Sequence, residues 1–234
     1  MRLLVISDIH ANLPALLAVA GHQQFDRAIC LGDIVDYGPH PKECLDWVRG
    51  RCDLLIRGNH DQAAAKHVGC QCSEAFRHLS EATRAMTWRL LTPDDLSYLA
   101  VRPIEADFMY DGTRYHAVHA APSDPLYRYP GPDDREQWQA EIERVGADML
   151  LVGHTHVPMI LYFGGKVVVN PGSVGQPRDG DARAEFAVIE NGLPHLCRIP
   201  YDIEETVRDL SQAGLEDSVA SVLGNILRTG GKEW

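Results

Sequence analysis

Three short apolar runs in the first quarter of the chain each close on a cluster of oxygen and nitrogen donors. Leu3 to Ser7 leads into Asp8-Ile9-His10, Arg27 to Leu31 into Gly32-Asp33, and Asp53 to Arg57 into Gly58-Asn59-His60-Asp61. Apolar runs of this length read as buried strands. Helical spacing follows each of them: Leu13, Leu16, Leu17 and Ala20 recur after the first, with Pro14 in the first turn, and Pro41 to about Arg49 follows the second. Successive strand–helix units imply a largely parallel inner sheet with right-handed crossovers. The carboxyl ends of such strands converge on one crevice, so the three donor clusters are expected to meet there.

In Asp8-x-His10 an extended chain would set both side chains on one face, where they can hold one ion together. Gly32 and Gly58 leave room for sharp turns and close backbone approach. Two further clusters follow predicted strands: His119 after Thr113 to Val118, and Gly153-His154-Thr155-His156 after Met149 to Val152, the His-x-His pair again sharing a face. Carboxylate and imidazole together suit Mn, Fe, Zn, Co or Ni, whereas Ca and Mg prefer oxygen alone. Two ions about 3.5–4 Å apart, as in two-metal hydrolysis, need a bridging carboxylate. His116 competes with His119, but their odd separation puts them on opposite faces, and His119 is the one that ends the strand. His22, His40, His67, His78 and His195 read as surface or satisfied histidines.

The remainder is less distinctive. Residues 62–100 turn helical, with Phe76, Leu79, Thr83, Met86 and Leu90 on one stripe and Pro93 opening another helix, a block placed to overhang the crevice as a partial lid. Strands are predicted at Lys166 to Asn170, Glu185 to Ile189 and Leu196 to Pro200, a helix at about Asp133 to Val145, and two more at Ile203 to Ala213 and Glu216 to Arg228. No linker marks a second domain, so residues 1–234 are read as one domain with a helical insertion at about 62–100 and carboxyl-terminal helices at about 203–228. The apolar start is interrupted by Ser7 and Asp8, too early for a signal peptide or membrane helix, and a cytoplasmic protein with reduced thiols is expected. Cys70 and Cys72 follow His67, but that set is one ligand short of tetrahedral zinc and reads as a loop carrying two thiols. The net charge of −11 repels nucleic acid and membrane surfaces, so a phosphate substrate has to be attracted locally, as bound cations would do. No Walker lysine motif points to nucleotide-driven transfer.

The ordered series Asp8-x-His10, Gly32-Asp33, Gly58-Asn59-His60-Asp61, His119 and Gly153-His154-Thr155-His156 resembles the calcineurin-like metallophosphoesterases, in particular their small bacterial and archaeal phosphodiesterases and diadenosine-tetraphosphate-hydrolase-type members. Asn170-Pro171-Gly172-Ser173-Val174-Gly175-Gln176-Pro177-Arg178 resembles a later motif of that subgroup. The resemblance implies an α/β fold, a four-layer α/β/β/α sandwich of two mixed sheets flanked by helices. It implies two divalent ions, manganese first among Mn, Fe, Zn, Co and Ni, with Asp8, His10 and His156 on one, Asn59, His119 and His154 on the other, and Asp33 bridging. It also implies that His60, not itself a ligand, stands near the leaving group and that Asp61 orients it. The expected activity is hydrolysis of a small phosphodiester or nucleotide-type ester by a hydroxide held between the ions, with phosphomonoesters and phosphoproteins as alternative substrates and a non-catalytic scaffold as a further one. Arg178 is expected either to pair with a substrate phosphate or to close a loop against Asp179 or Asp181. Tyr37 and Pro39 are expected to wall the cleft, Asp36 to lie just behind it, and Asn170 and Ser173 to shape the turn at Pro171-Gly172. Stable nucleic-acid or membrane binding is not expected.

Overall fold

The computed structural model describes residues 2–22 and 24–232. Its first half runs β1 (Arg2–Ile6), α1 (Leu13–His22), β2 (Arg27–Cys30), α2 (Pro41–Arg51), β3 (Leu54–Leu55), α3 (Asn59–Lys66), α4 (Glu74–Leu90) and α5 (Pro93–Ala100). The second half runs β4 (Glu105–Tyr110), β5 (Thr113–Val118), α6 (Arg135–Val145), β6 (Met149–Leu151), β7 (Met159–Phe163), β8 (Lys166–Asn170), β9 (Ala184–Glu190), β10 (Leu193–Ile199), α7 (Ile203–Gln212) and α8 (Asp217–Thr229).

Side chains alternate across a strand, so a strand that is apolar throughout has to be covered on both faces. In β1, Leu4 and Ile6 join a core shared with Leu16 of α1 and Leu45 of α2, while Leu3 and Val5 join a second core that contains Ala117, Leu151 and Val169 of the other sheet. Trp138 and Ile142 of α6 cover the far side through Val118, Leu150 and Val168. These contacts stack the chain as helix, sheet, sheet and helix. Each sheet has five strands, in the orders β10-β9-β1-β2-β3 and β4-β5-β6-β8-β7. Both sheets are mixed: β1 pairs in parallel with β2 and antiparallel with β9, and β6 lies parallel to β5 and β8 while β7 runs antiparallel to β8. A fully buried Leu or Ile contributes about 1.5–3 kcal/mol, so this double burial fixes the strand ends from which the donor loops depart.

Several elements differ from the sequence reading. The third strand shrinks to two residues, Leu54–Leu55. Strands β4 and β7 are additional and lie at the two edges of their sheet; β7 is apolar throughout, yet Tyr162 in it and Met109 in β4 stay exposed at these edges. Strand β10 begins at Leu193 rather than Leu196, because Asn191 and Gly192, both at positive φ, turn the chain directly into a hairpin with β9. Helices α4, α7 and α8 share one core with Tyr37 and Phe76, so the carboxyl-terminal helices stand behind one wall of the crevice. Thr206 of α7 donates to Asn12 Oδ1 at 2.9 Å. No described helix is long and apolar enough to cross a membrane.

Candidate metal centre

The donor loops are held in backbone conformations that L residues seldom adopt. Asp8, His10, Asp33, His154 and His156 have φ of 54°, 46°, 54°, 67° and 57°. Each such residue costs on the order of 1–3 kcal/mol and persists only where its surroundings impose it. The imposing bonds are Asp8 N–H to Gly32 O at 3.0 Å, His10 N–H to Asp33 O at 2.9 Å, and Gly175 N–H and the Ser173 hydroxyl to Asp8 O at 3.0 and 2.7 Å. The extended, same-face explanation for Asp8-x-His10 is therefore corrected: β1 stops at Ile6, and tight turns beyond it bring the two side chains together. His154 and His156 likewise diverge, His156 toward Asp8 and His10, and His154 toward Asp33 and His119.

In the first group, His10 Nδ1 donates to Val35 O at 3.0 Å and His156 Nδ1 donates to Gln176 O at 2.6 Å. A carbonyl only accepts, so the protons sit on Nδ1 and the Nε2 atoms present lone pairs. Those two Nε2 atoms are 3.1 Å apart, and Asp8 Oδ1 lies 3.2 Å from that of His156. Burial holds His10 well below the usual imidazole range and lowers His156 too, so both favour the neutral form that ligates a cation. Asp8 Oδ1 is buried with no hydrogen-bond partner. Facing lone pairs beside a bare carboxylate oxygen are costly alone and favourable around a cation.

The second group repeats the pattern. His119 Nδ1 donates to Leu31 O at 2.8 Å, leaving its Nε2 3.3 Å from Asp33 Oδ2 and 3.0 Å from Asn59 Oδ1. The Asn59 amide is oriented by its own Nδ2, which donates to Cys70 O at 2.8 Å. Burial lowers the proton affinity of His119, but the Asp33 carboxylate more than offsets this and lifts it to about 9; burial and His119 push His154 down to about 3. Asp33 Oδ2 is also 3.9 Å from His10 Nε2, which places this carboxylate between the two groups. The donor set of imidazoles, carboxylates and one amide thus fits a pair of divalent transition-metal ions. His116 takes no part: its Nδ1 bonds Asp107 Oδ1 at 2.8 Å.

His60 Nδ1 donates to Asp36 Oδ2 at 2.7 Å, and Arg84 of α4 donates through Nε and Nη2 to that same oxygen. The contact expected from Asp61 to His60 is absent. Asp61 stands in the first turn of α3, and its carboxylate accepts from the backbone N–H of Asp33, Ile34 and Gly58 at 2.8, 2.9 and 3.1 Å. It ties the Asp33 loop to the Asn59 loop, while Asp36 orients the histidine. The ring of Tyr37 lies 4.8 Å from that of His10 and 4.9 Å from that of His60.

A cleft of about 440 Å³ opens on this centre, bordered by Asp33, His60 and His154 and by Tyr37, Phe76 and Arg178. The Arg178 guanidinium lies 4.1 Å over the Phe76 ring and donates to Gln176 Oε1 at 2.7 Å. Asp179 and Asp181 pair instead with Arg198, and Asp181 also with Arg183, so Arg178 is directed to the cleft rather than to a loop closure. Asn170 Oδ1 accepts from Gly172 N–H at 2.9 Å and holds the turn after β8. Tyr127 and Tyr129 border the cleft from a stretch without secondary-structure periodicity, which is why the sequence reading leaves them out.

Gly58 shows how little slack the centre has: a Cβ there would lie 2.5 Å from the Asp33 amide nitrogen and 2.1 Å from Asp33 Oδ1. Gly58→Ala is expected to cost about 1–3 kcal/mol by overpacking and to weaken metal retention. Urea unfolding in chelator and metal equivalents after desalting check the two effects; an unchanged variant would show that the Asp33 loop can give way.

The chain matches the calcineurin-like phosphoesterase superfamily domain over residues 1–191. An uncharacterized protein of Methanocaldococcus jannaschii is 31% identical over 222 residues, covering 86% of this chain and 88% of that protein. A crystal structure of a metallophosphoesterase from Sphaerobacter thermophilus superposes with a TM-score of 0.83 at 31% identity, covering 98% of this chain and 99% of the other. A hypothetical protein from Pyrococcus horikoshii OT3 shares the fold at TM-score 0.83 and 24% identity, covering 100% and 99%.

Proposed function

We infer, since the chain belongs to the calcineurin-like phosphoesterase superfamily, that it is a hydrolase of small phosphate esters, with a phosphodiester or nucleotide-type ester as substrate. Asp8, His10 and His156 are assigned to one divalent cation, Asn59, His119 and His154 to the other, and Asp33 to both. The observation that carries this reading is the convergence of the Nε2 atoms of His10, His119 and His156 on Asp8, Asp33 and Asn59, each ring fixed by a backbone acceptor at its Nδ1. When bound, two divalent cations supply Lewis acidity, making water a nucleophile near neutral pH and neutralising the phosphoryl oxygens.

The chain's own groups do the rest. Arg178 reaches the cleft as a fixed cation able to meet a phosphate oxygen. His60, with Nδ1 committed to Asp36, has Nε2 left to give a proton to the departing oxygen. Burial lowers the proton affinity of His60, yet Asp33 and Asp36 outweigh it and raise the net value, as a proton donor requires. A cleft of about 440 Å³ suits a small ester. With a net charge of −11 outside it, long nucleic acid is disfavoured.

Chelation is expected to abolish turnover and Mn²⁺ to restore it, with the far-UV circular dichroism unchanged, because the cores above and below the sheets do not include the ligands. Activity that survives chelation would overturn the metal assignment. A panel of bis(nitrophenyl) phosphate, nitrophenyl phosphate and a dinucleoside polyphosphate, assayed with Mn²⁺, tests the substrate class: preferential cleavage of the monoester would overturn the diester reading.

A further inference from the structure

Cys70 and Cys72 lie in the segment between α3 and α4, and the proposed hydrolysis leaves both unused. Their Sγ atoms are 2.7 Å apart, and the Ser80 hydroxyl lies 3.5 and 3.4 Å from them. Gln71 between them sits at φ 55°, a left-handed kink that folds the two thiols onto one another. Cys70 is buried, whereas Cys72 is partly exposed and borders the cleft. The backbone of this same loop also serves the metal centre, because Cys70 O is the acceptor that orients the Asn59 amide and so aims Asn59 Oδ1.

We propose that Cys70 and Cys72 form a reversible dithiol–disulfide site that takes a hydroperoxide as oxidant, and that its closure weakens the hold of Asn59 on its cation. Cys72 is the sulfur a peroxide in the cleft meets first. Its sulfur attacks one peroxide oxygen, the O–O bond breaks, the thiol proton passes to the departing oxygen, and sulfenic acid and the alcohol (water, from hydrogen peroxide) result. The Cys70 sulfur then attacks the Cys72 sulfur and displaces hydroxide, which leaves as water with the Cys70 proton. Two electrons pass from the sulfurs to the peroxide, and a dithiol reductant returns them by exchange. Bond formation draws the sulfurs from 2.7 Å to about 2.05 Å, an approach of roughly 0.7 Å. With one residue between the cysteines, the loop backbone has to absorb that movement, Cys70 O included. Disturbing the partner that orients a metal ligand typically costs about 10–100-fold in metal affinity.

The test uses the full-length chain. Reduced protein is exposed to hydrogen peroxide, alkylated and digested, and Mn²⁺ affinity is titrated before and after exposure. The expected result is a peptide that has lost two hydrogens, carries no label on Cys70 or Cys72 and is restored by dithiothreitol, together with Mn²⁺ affinity at one of the two sites reduced about tenfold or more. Cys72→Ser, compared with its own untreated sample, should show no peroxide-dependent change in Mn²⁺ affinity. Should that variant fail to fold, the parent's mass and Mn²⁺ titration, and the reversal of both by dithiothreitol, decide alone. Full alkylation of both thiols after peroxide, or a disulfide that leaves Mn²⁺ affinity unchanged, overturns the proposal. The peptide mass needs no metal and no substrate, so a chain that forms the disulfide but binds no Mn²⁺ at all overturns the metal assignment separately.

Discussion

Asp33→Ala is expected to leave the chain folded and to cut both its metal content and its kcat/KM, the latter by more than about 100-fold, since even the partners behind a metal ligand are worth that much. Two dications about 4 Å apart repel strongly: a unit-charge pair at that distance is worth about 4 kcal/mol near a protein surface, and two doubly charged ions about four times as much. Asp33 lies 3.3 Å from His119 Nε2 and 3.9 Å from His10 Nε2, so its charge is the one shared by both groups. Folding should survive for two opposing reasons. The His60 N–H loses its acceptor, Asp33 Oδ1, at a cost of about 1–3 kcal/mol. Against this, Asp61, which burial first and the Asp33 charge second raise to about 6, is relieved of a like-charged neighbour. Asp33→Asn keeps an acceptor for the amide and separates the structural loss from the electrostatic one. Two equivalents of Mn²⁺ retained by a well-folded Asp33→Ala chain would show that this carboxylate is not shared.

What the sequence makes legible follows from physical contrast. Asp8, Asp33 and Asn59 stand out because each ends a run that is otherwise apolar, and polar donors at strand ends have to be held by something. Asp111-Gly112, Gly164-Gly165 and Asn191-Gly192, all six residues at positive φ, mark hairpins, a signal that the sequence reading leaves unused, and β4 and β7 go unread with it. Strand β7 is itself an apolar run, Met159–Phe163, that the sequence reading leaves out, whereas β4 carries the exposed Met109 where a half-buried strand would carry a polar residue. The partner of His60 is a different matter. Asp61 is adjacent in sequence, yet its place in the first turn of α3 turns its carboxylate back to backbone amides; Asp36 and Arg84, 24 and 48 residues apart from their partners, arrive only through the packing of α4 over the Asp33–Tyr37 loop. Thr83 makes that packing specific by accepting from Tyr37 N–H at 2.9 Å. A helical block read as a partial lid thus also buttresses the loop that carries Asp36.

That buttress bears directly on what His60 does. With Nδ1 bonded to Asp36, and Asp36 held in turn by the Arg84 guanidinium, the ring has one orientation and one nitrogen left to act. If that nitrogen protonates the leaving oxygen, its value depends on how badly the leaving group needs a proton. His60→Ala is therefore expected to bind both equivalents of Mn²⁺, since His60 belongs to neither ligand group, and to lose about 10²–10⁴ in kcat/KM on an alkyl or phenyl ester, the usual contribution of a positioned acid. On a nitrophenyl ester, whose anion departs unaided, the loss should be much smaller. A residue that only supports the geometry of the centre would slow both esters equally, because misplacing the cations or the phosphorus does not distinguish one leaving group from another. The ratio of kcat/KM between phenyl and nitrophenyl esters, in metal-replete mutant and parent, is the measurement, and an unchanged ratio removes His60 from the role of acid. Asp36→Asn provides the companion test: a neutral amide in that position stabilises the protonated ring less, so the same selective loss on the poor leaving group should appear in weaker form.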